Sequence, residues 1–194
     1  MLPYWFLFAI PAFVALQERS AHPVSPRRKP LFVSVTLLLA VMIGLRYQVG
    51  GDWGSYLGYL RRSEYLSFSE VFTLRDPGYI LLNWVAVQTN GEIWLVNLVC
   101  GLIFATGLVS FARSQPRPWL AILVAIPYLV IVVAMGYSRQ AVAIGLAMLG
   151  LVALSRDGSN VKFVLWIALA SACQPGFRLF ARRASLHSRC RRSP

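Results

Sequence analysis

The chain has 194 residues, of which 57% are hydrophobic and only 13% charged, and it carries a formal net charge of +12. A soluble domain would hold about a quarter charged residues, and here the apolar residues come in blocks rather than at amphipathic spacing, so a soluble globular fold is excluded in favour of an integral membrane protein. The positive charge does not point to nucleic acid: six arginines and no acids lie in residues 173–194, the remainder balances at +6, and basic loops are ordinary in membrane proteins.

In chain order, Leu2 to Leu16 is a short apolar run without the basic start of a signal peptide, which predicts a retained first span. A polar, proline-rich loop covers 17–30, and Leu31 to Leu45 forms a second run. Both runs are near the lower limit of about 17 residues for crossing a bilayer. Residues 46–62, "RYQVGGDWGSYLGYLRR", follow at once, and 63–79 is mixed and interfacial in character. Tyr79 to Val87 is half a span, interrupted by "QTNGE" at 88–92. Ile93 to Phe111 is a full span, "ARSQPRP" at 112–118 a loop, and Trp119 to Met135 a span containing Pro127. "GYSRQ" at 136–140 breaks the pattern before Ala141 to Leu154. After a turn at 155–162, Phe163 to Ala172 begins a further span that stops at "CQPGF". The expected fold class is all-α: a polytopic integral membrane protein with about five to seven membrane helices and an outer-face loop carrying interfacial helices.

Loop charge predicts sidedness. If 79–87 does not cross, loops 17–30, 112–118 and 155–162 share one side with eight lysines and arginines, against five on the other. The positive-inside rule then puts 46–78 and 136–139 together in the outer compartment.

The stretch 46–62 carries the chemistry. Gly50 and Gly51 permit a turn with positive φ. Asp52 can cap a helix starting at Trp53, and Trp53, Tyr56, Leu57 and Leu60 fall on one helical face suited to a membrane surface. The same carboxylate, beside apolar surface, can serve as a general base. Arg46 and Asp52 stand six residues apart around the glycine turn, so both can face one pocket. Arg46 and Arg139 are each either a snorkelling anchor or a bidentate partner for phosphate. Cys100, Cys173 and Cys190 have no metal-ligand spacing and suggest no disulfide framework. His22 and His187 are scattered, so no metal and no cofactor is expected.

The order "LRYQVGGDWGSYLGYL", "DPGYILLNWV", "GYSRQAVAIGLAMLGL" resembles the EpsG family of bacterial exopolysaccharide polymerases, which are Wzy-like inner-membrane proteins. Arg46, Tyr47, Gly50, Asp52, Tyr56, Asp76, Pro77, Gly78, Tyr79, Arg139 and Gln140 fit the family pattern, over residues 1–172. Asp76 stands where a glutamate is common, and "SACQPGF" stands where the family has an aromatic-His pair. The tail 173–194 matches nothing in the family and reads either as an out-of-frame extension or as a basic cytoplasmic tail.

The resemblance implies a multi-pass protein of the bacterial inner membrane that joins polyprenyl-pyrophosphate-linked oligosaccharide repeat units at the outer face. Arg46 and Arg139 are then the candidates for binding the lipid pyrophosphate and Asp52 for the catalytic base. Tyr47, Trp53, Tyr56 and Gln140 are candidates for sugar contact or for support of the site. The implied partners are the lipid-linked oligosaccharide, membrane lipid and other polysaccharide-export proteins, with no nucleic acid. The alternative is a non-catalytic, incomplete relative acting as an accessory subunit. A transporter is disfavoured because the spans hold hardly any ionisable residue at mid-membrane.

Overall fold

The computed structural model describes residues 2–17, 29–74 and 76–173. Among these the structure is all-helical, in the order α1 (Leu2–Gln17), α2 (Lys29–Gly44), α3 (Trp53–Ser63), α4 (Phe68–Val71), α5 (Pro77–Gln88), α6 (Glu92–Ala112), α7 (Pro118–Ala125) continued by a π-helical stretch (Ile126–Ala134), α8 (Ser138–Asp157) and α9 (Asn160–Cys173). The expected tail beyond Cys173 lies outside the described residues.

Local chemistry sets the boundaries. Pro77 and Pro118 open α5 and α7, where a missing N–H costs nothing. Gly158, at φ 60°, closes α8 in the left-handed conformation that ends many helices. Ser67 and Glu70 form a reciprocal capping box at the head of α4.

Two expectations are refined. The run from Trp119 to Met135 is not one regular helix: Pro127 gives no N–H and its ring clashes with the carbonyl four residues back, and the chain widens to π geometry from Ile126 to Ala134. The break at 136–140 shrinks to Tyr137 alone, because Ser138, Arg139 and Gln140 form the first turn of α8.

α6 is the centre of the bundle, packed between α2 and α8, with α9 on the far side of α8. Backbone contact fixes the α6–α8 approach: a Cβ on Gly107 would lie 2.2 Å from the carbonyl oxygen of Gly145. Small residues let helices meet this closely, and larger ones force them apart. Two apolar clusters result. One joins Phe32, Phe104, Trp119, Ile122 and Ile126, with the Phe32 and Trp119 rings stacked at 5.0 Å. The other joins Tyr56, Tyr79, Cys100, Val142 and Ala170.

The contacts give the bundle two distinct ends. At one, Arg113 lies over the Phe32 ring and Arg156 donates to the Arg113 carbonyl at 3.0 Å. This end gathers the start of α2 and the exits of α6 and α8. At the other, Gly50 abuts Gly136, Tyr47 stacks on Trp94, Asp76 pairs with Arg139 and Gly78 meets Cys173. Helix α5 begins and finishes at this second end, because Asp76 precedes it and a three-residue turn leads from it to Trp94 in the first turn of α6. At 12 residues it spans only about 18 Å. It does not run the length of the bundle, in keeping with the half-span read from the sequence.

Helices α6 and α8 are long and apolar enough to cross a membrane, and the apolar parts of α1, α2, α7 with its π extension, and α9 are shorter. Large apolar side chains also face outward, among them Trp5, Phe13, Val33, Leu37, Val124 and Val164. Helices apolar on every side are what a bilayer-facing surface requires.

Candidate functional site

Two arginines and two carboxylates lie near the helix interruption at Tyr137, at the second end of the bundle. Arg46 leaves α2 and turns inward. It is buried, its Nη1 donates to the Ala134 carbonyl at 2.5 Å and its Nη2 donates to the Ser138 hydroxyl. Ser138 in turn donates to Asn97 Oδ1 at 3.1 Å. Ala134 ends the π-helical stretch, where carbonyls lose their intrahelical donors and the helix dipole is negative. A guanidinium there satisfies the orphaned acceptor and pins the start of α8. Burial pulls the Arg46 guanidinium below its ordinary value, but an arginine stays charged at any physiological pH.

Arg139, in the first turn of α8, points the other way. Its Nη1 donates to Asp76 Oδ2 at 3.1 Å and to the Tyr59 hydroxyl at 3.0 Å. Its guanidinium carbon lies 5.0 Å from the centre of the Tyr59 ring and 6.0 Å from that of Tyr56, within cation–π range. The Arg139 side chain is 24% exposed and that of Asp76 only 4%. Nη1 serves both partners, and the side chain as a whole remains partly exposed.

Asp52 holds the cap position of α3 but makes no capping bond, so the capping role expected of its side chain is not what the structure has. It is half-buried. Arg46 and Asp52 do not form a pair: Arg46 bonds to the α8 junction. What joins them is Tyr56, fully buried one turn into α3. Burial raises the Tyr56 hydroxyl above its ordinary value and the charge of Asp52 adds to that, while Arg139 and Arg46 oppose it. Tyr47 is exposed, stacked on Trp94 at 6.0 Å and edge-on to Trp53 at 5.9 Å. Gln140 is half-buried in the first turn of α8. The loop bearing Asp52 is held by Gly50, at φ 100°, where a Cβ would lie 2.6 Å from the Gly136 carbonyl oxygen.

Several site residues were not picked out from the sequence. Asp76 was matched to the family pattern without a role, and its partner lies 63 positions away. Tyr59, Trp94, Asn97 and Ser138 had no signal beyond their residue types. The remaining polar groups are unusual: Arg46 Nε, Asp76 Oδ1, Tyr79 Oη, Asn83 Oδ1 and Asn97 Nδ2 are all buried without a hydrogen-bond partner among the described residues. No cluster of three or more His, Cys, Asp or Glu side chains able to hold a metal ion occurs among the described residues.

An all-helical bundle with outward apolar faces, and a charged, tyrosine-lined end, defines a membrane-associated class of protein. The EpsG family model matches residues 29–174, three quarters of the chain, and the protein belongs to the EpsG family. Membership gives it an exopolysaccharide context. No curated protein and no solved structure matches it.

Proposed function

We propose that this protein is a multi-pass inner-membrane polymerase that transfers a growing glycan from its polyprenyl diphosphate to a hydroxyl of the next lipid-linked repeat unit. The observation that carries the reading is Arg139. One of its nitrogens is held by Asp76 and Tyr59, and the side chain is partly exposed, at the N-terminus of a 20-residue helix. A helix N-terminus and a guanidinium together favour a phosphate group, and positive charge at a departing diphosphate lowers the barrier to its release.

In this reading Arg46 adds positive charge from within and fixes the head of α8, while its own fork is spent on Ala134 and Ser138. Asp52, half-exposed beside Tyr56, takes the proton of the attacking hydroxyl. Tyr47, Trp53 and Trp94 form an aromatic face on which sugar rings stack. The end carrying the site faces the outer compartment. Thiol labelling of cysteines introduced at Ser55, Gln115 and Asn160 should then find the first outside and the other two inside.

The test is binding of geranylgeranyl diphosphate to the full chain in nanodiscs, followed by quenching of tryptophan fluorescence. Wild type should bind, and Arg139→Gln should bind about tenfold more weakly or worse. Equal binding by the variant, or none by wild type, would overturn the reading.

A further inference from the structure

Helix α5 carries polar side chains at its cap position 76 and at 79 and 83 within it, a spacing of three and four that brings them to one side of the helix. That face is turned into the protein: Asp76 is 3% exposed, and Tyr79 and Asn83 are 0%. Each has one polar atom without a partner, namely Asp76 Oδ1, Tyr79 Oη and Asn83 Oδ1.

Ordinary structural roles do not account for them. Asp76 occupies the cap position of α5 but makes no capping bond. Its Oδ2 is taken by Arg139, which leaves Oδ1 idle. Asn83 spends its amide nitrogen on the Tyr79 carbonyl at 2.8 Å, one turn back, and its oxygen receives nothing. The Tyr79 ring packs against Tyr56 at 5.8 Å and Tyr59 at 5.9 Å, and its hydroxyl, with the Asn83 amide nearby, makes no hydrogen bond of normal geometry. A phenylalanine would make the same ring contacts at no polar cost. Buried polar groups are nearly always hydrogen-bonded, and leaving one unmade is costly. Three in a row on one helix face, starting beside the cation of the site, are a set that a hydroxyl-bearing ligand would satisfy.

We propose that Asp76, Tyr79 and Asn83 form a hydroxyl-binding subsite for the sugar attached to the diphosphate held by Arg139. The two side-chain oxygens of Asp76 and Asn83 accept hydrogen bonds from sugar hydroxyls, and the Tyr79 hydroxyl both donates and accepts. Neutral, hydroxyl-rich ligands fit this set. It offers acceptors with a single hydroxyl donor, and its one negative charge is already balanced by Arg139. The same placement makes Asp76 a positioning residue for Arg139, through the oxygen the sugar does not use. The proposal rests on the diphosphate reading of Arg139 and adds the sugar to it.

The experiment compares two kinds of probe on the full chain in nanodiscs: farnesyl diphosphate, and farnesyl diphosphates bearing glucose, galactose or N-acetylglucosamine. Wild type should bind at least one sugar-bearing probe about tenfold more tightly than the bare one, the size of one or two good hydrogen bonds. Tyr79→Phe and Asn83→Leu should erase that preference while leaving affinity for farnesyl diphosphate unchanged, and Asp76→Glu should keep part of it. Tyr79→Phe removes one oxygen from a ring that stays packed, so it reads the subsite even if Asn83→Leu fails to fold. Failure of the bare diphosphate to bind wild type would sink the Arg139 reading. Bare binding without a sugar preference, or a preference that survives Tyr79→Phe, would sink the subsite alone.

Discussion

Arg46 and Arg139 lie at the same end of one bundle and differ in what surrounds them. Arg46 is 5% exposed and its partners are a backbone carbonyl and a serine, with no carboxylate among them. Arg139 is partly open and its partners are a carboxylate and a tyrosine. The first arrangement spends a charge on the architecture of a helix break. The second holds a charge partly exposed, against a buried carboxylate. Two arginines that look alike in the sequence therefore separate into one buried in the bundle's own hydrogen bonds and one left partly exposed beside a carboxylate.

The largest effect that tests this contrast is on stability. Arg46→Leu would strand the Ala134 carbonyl and the Ser138–Asn97 pair in the interior. A loss of about 2–4 kcal/mol is expected, since hydrogen bonds to charged groups and the desolvation of their partners are both forfeited. Thermal unfolding in detergent would show it as a clear drop in midpoint. Arg46→Lys should recover only part, because an ammonium lacks the fork that bridges both acceptors. An unchanged midpoint for Arg46→Leu would put Arg46 back among the ligand-facing residues.

Next in size is the contact that carries the loop onto the break. Gly50→Ala places a Cβ against the Gly136 backbone at a φ that side chains rarely adopt, and should cost about 2 kcal/mol. Gly51→Ala meets nothing within 4 Å and should stay within about 0.5 kcal/mol of wild type. Equal costs at the two positions would mean that the glycine turn is loose and the Asp52 loop is not docked on α8.

The sequence made part of this legible. Blocks of apolar residues mark helices whatever their partners, so α1, α2, α6 and the short α5 were found close to their observed limits. The π geometry was not, because Pro127 announces a disturbance but not which of several helical repairs follows. The site was half visible. Arg46 and Asp52 drew attention because they are six residues apart, but nearness along the chain says nothing of direction, and Arg46 turns inward to α8. The Asp76–Arg139 pair is closed by the packing of α5 against α3, α6 and α9, and no local pattern of residues encodes that packing.

Smaller still is the effect at Arg139. Arg139→Gln leaves Asp76 buried without its cation, and a cost of about 1–2 kcal/mol is expected, moderated by the partial exposure of the pair and by the amide that can still bond the carboxylate. The double change with Asp76→Asn should recover most of that loss, because it removes the stranded charge. No such rescue is available to Arg46, which has no carboxylate partner, so the double-mutant cycle separates the two arginines directly. A cycle showing no coupling between Asp76 and Arg139 would remove the carboxylate from the site.

The smallest effect lies outside both arginine centres, at a carboxylate whose bonds are all local. Glu70 accepts from the Ser67 backbone N–H and from the Ser67 hydroxyl, each at 2.8 Å, and these bonds hold its carboxyl below its ordinary value. A carboxylate depressed in the folded state lends stability above its unfolded value and loses it as pH falls through the folded one. The head of α4 should therefore be firm near neutral pH and loosen only in acid, below the usual carboxylate range. Amide hydrogen exchange across 67–72 at about pH 6 and about pH 3, corrected for intrinsic rates, would read this as a drop in protection confined to α4. Glu70→Gln should abolish the pH dependence and leave the Asp76–Arg139 region untouched. Loosening that spreads to α5 would show that the capping box supports that helix, whose Trp84 indole N–H donates to the Leu66 carbonyl at 3.2 Å.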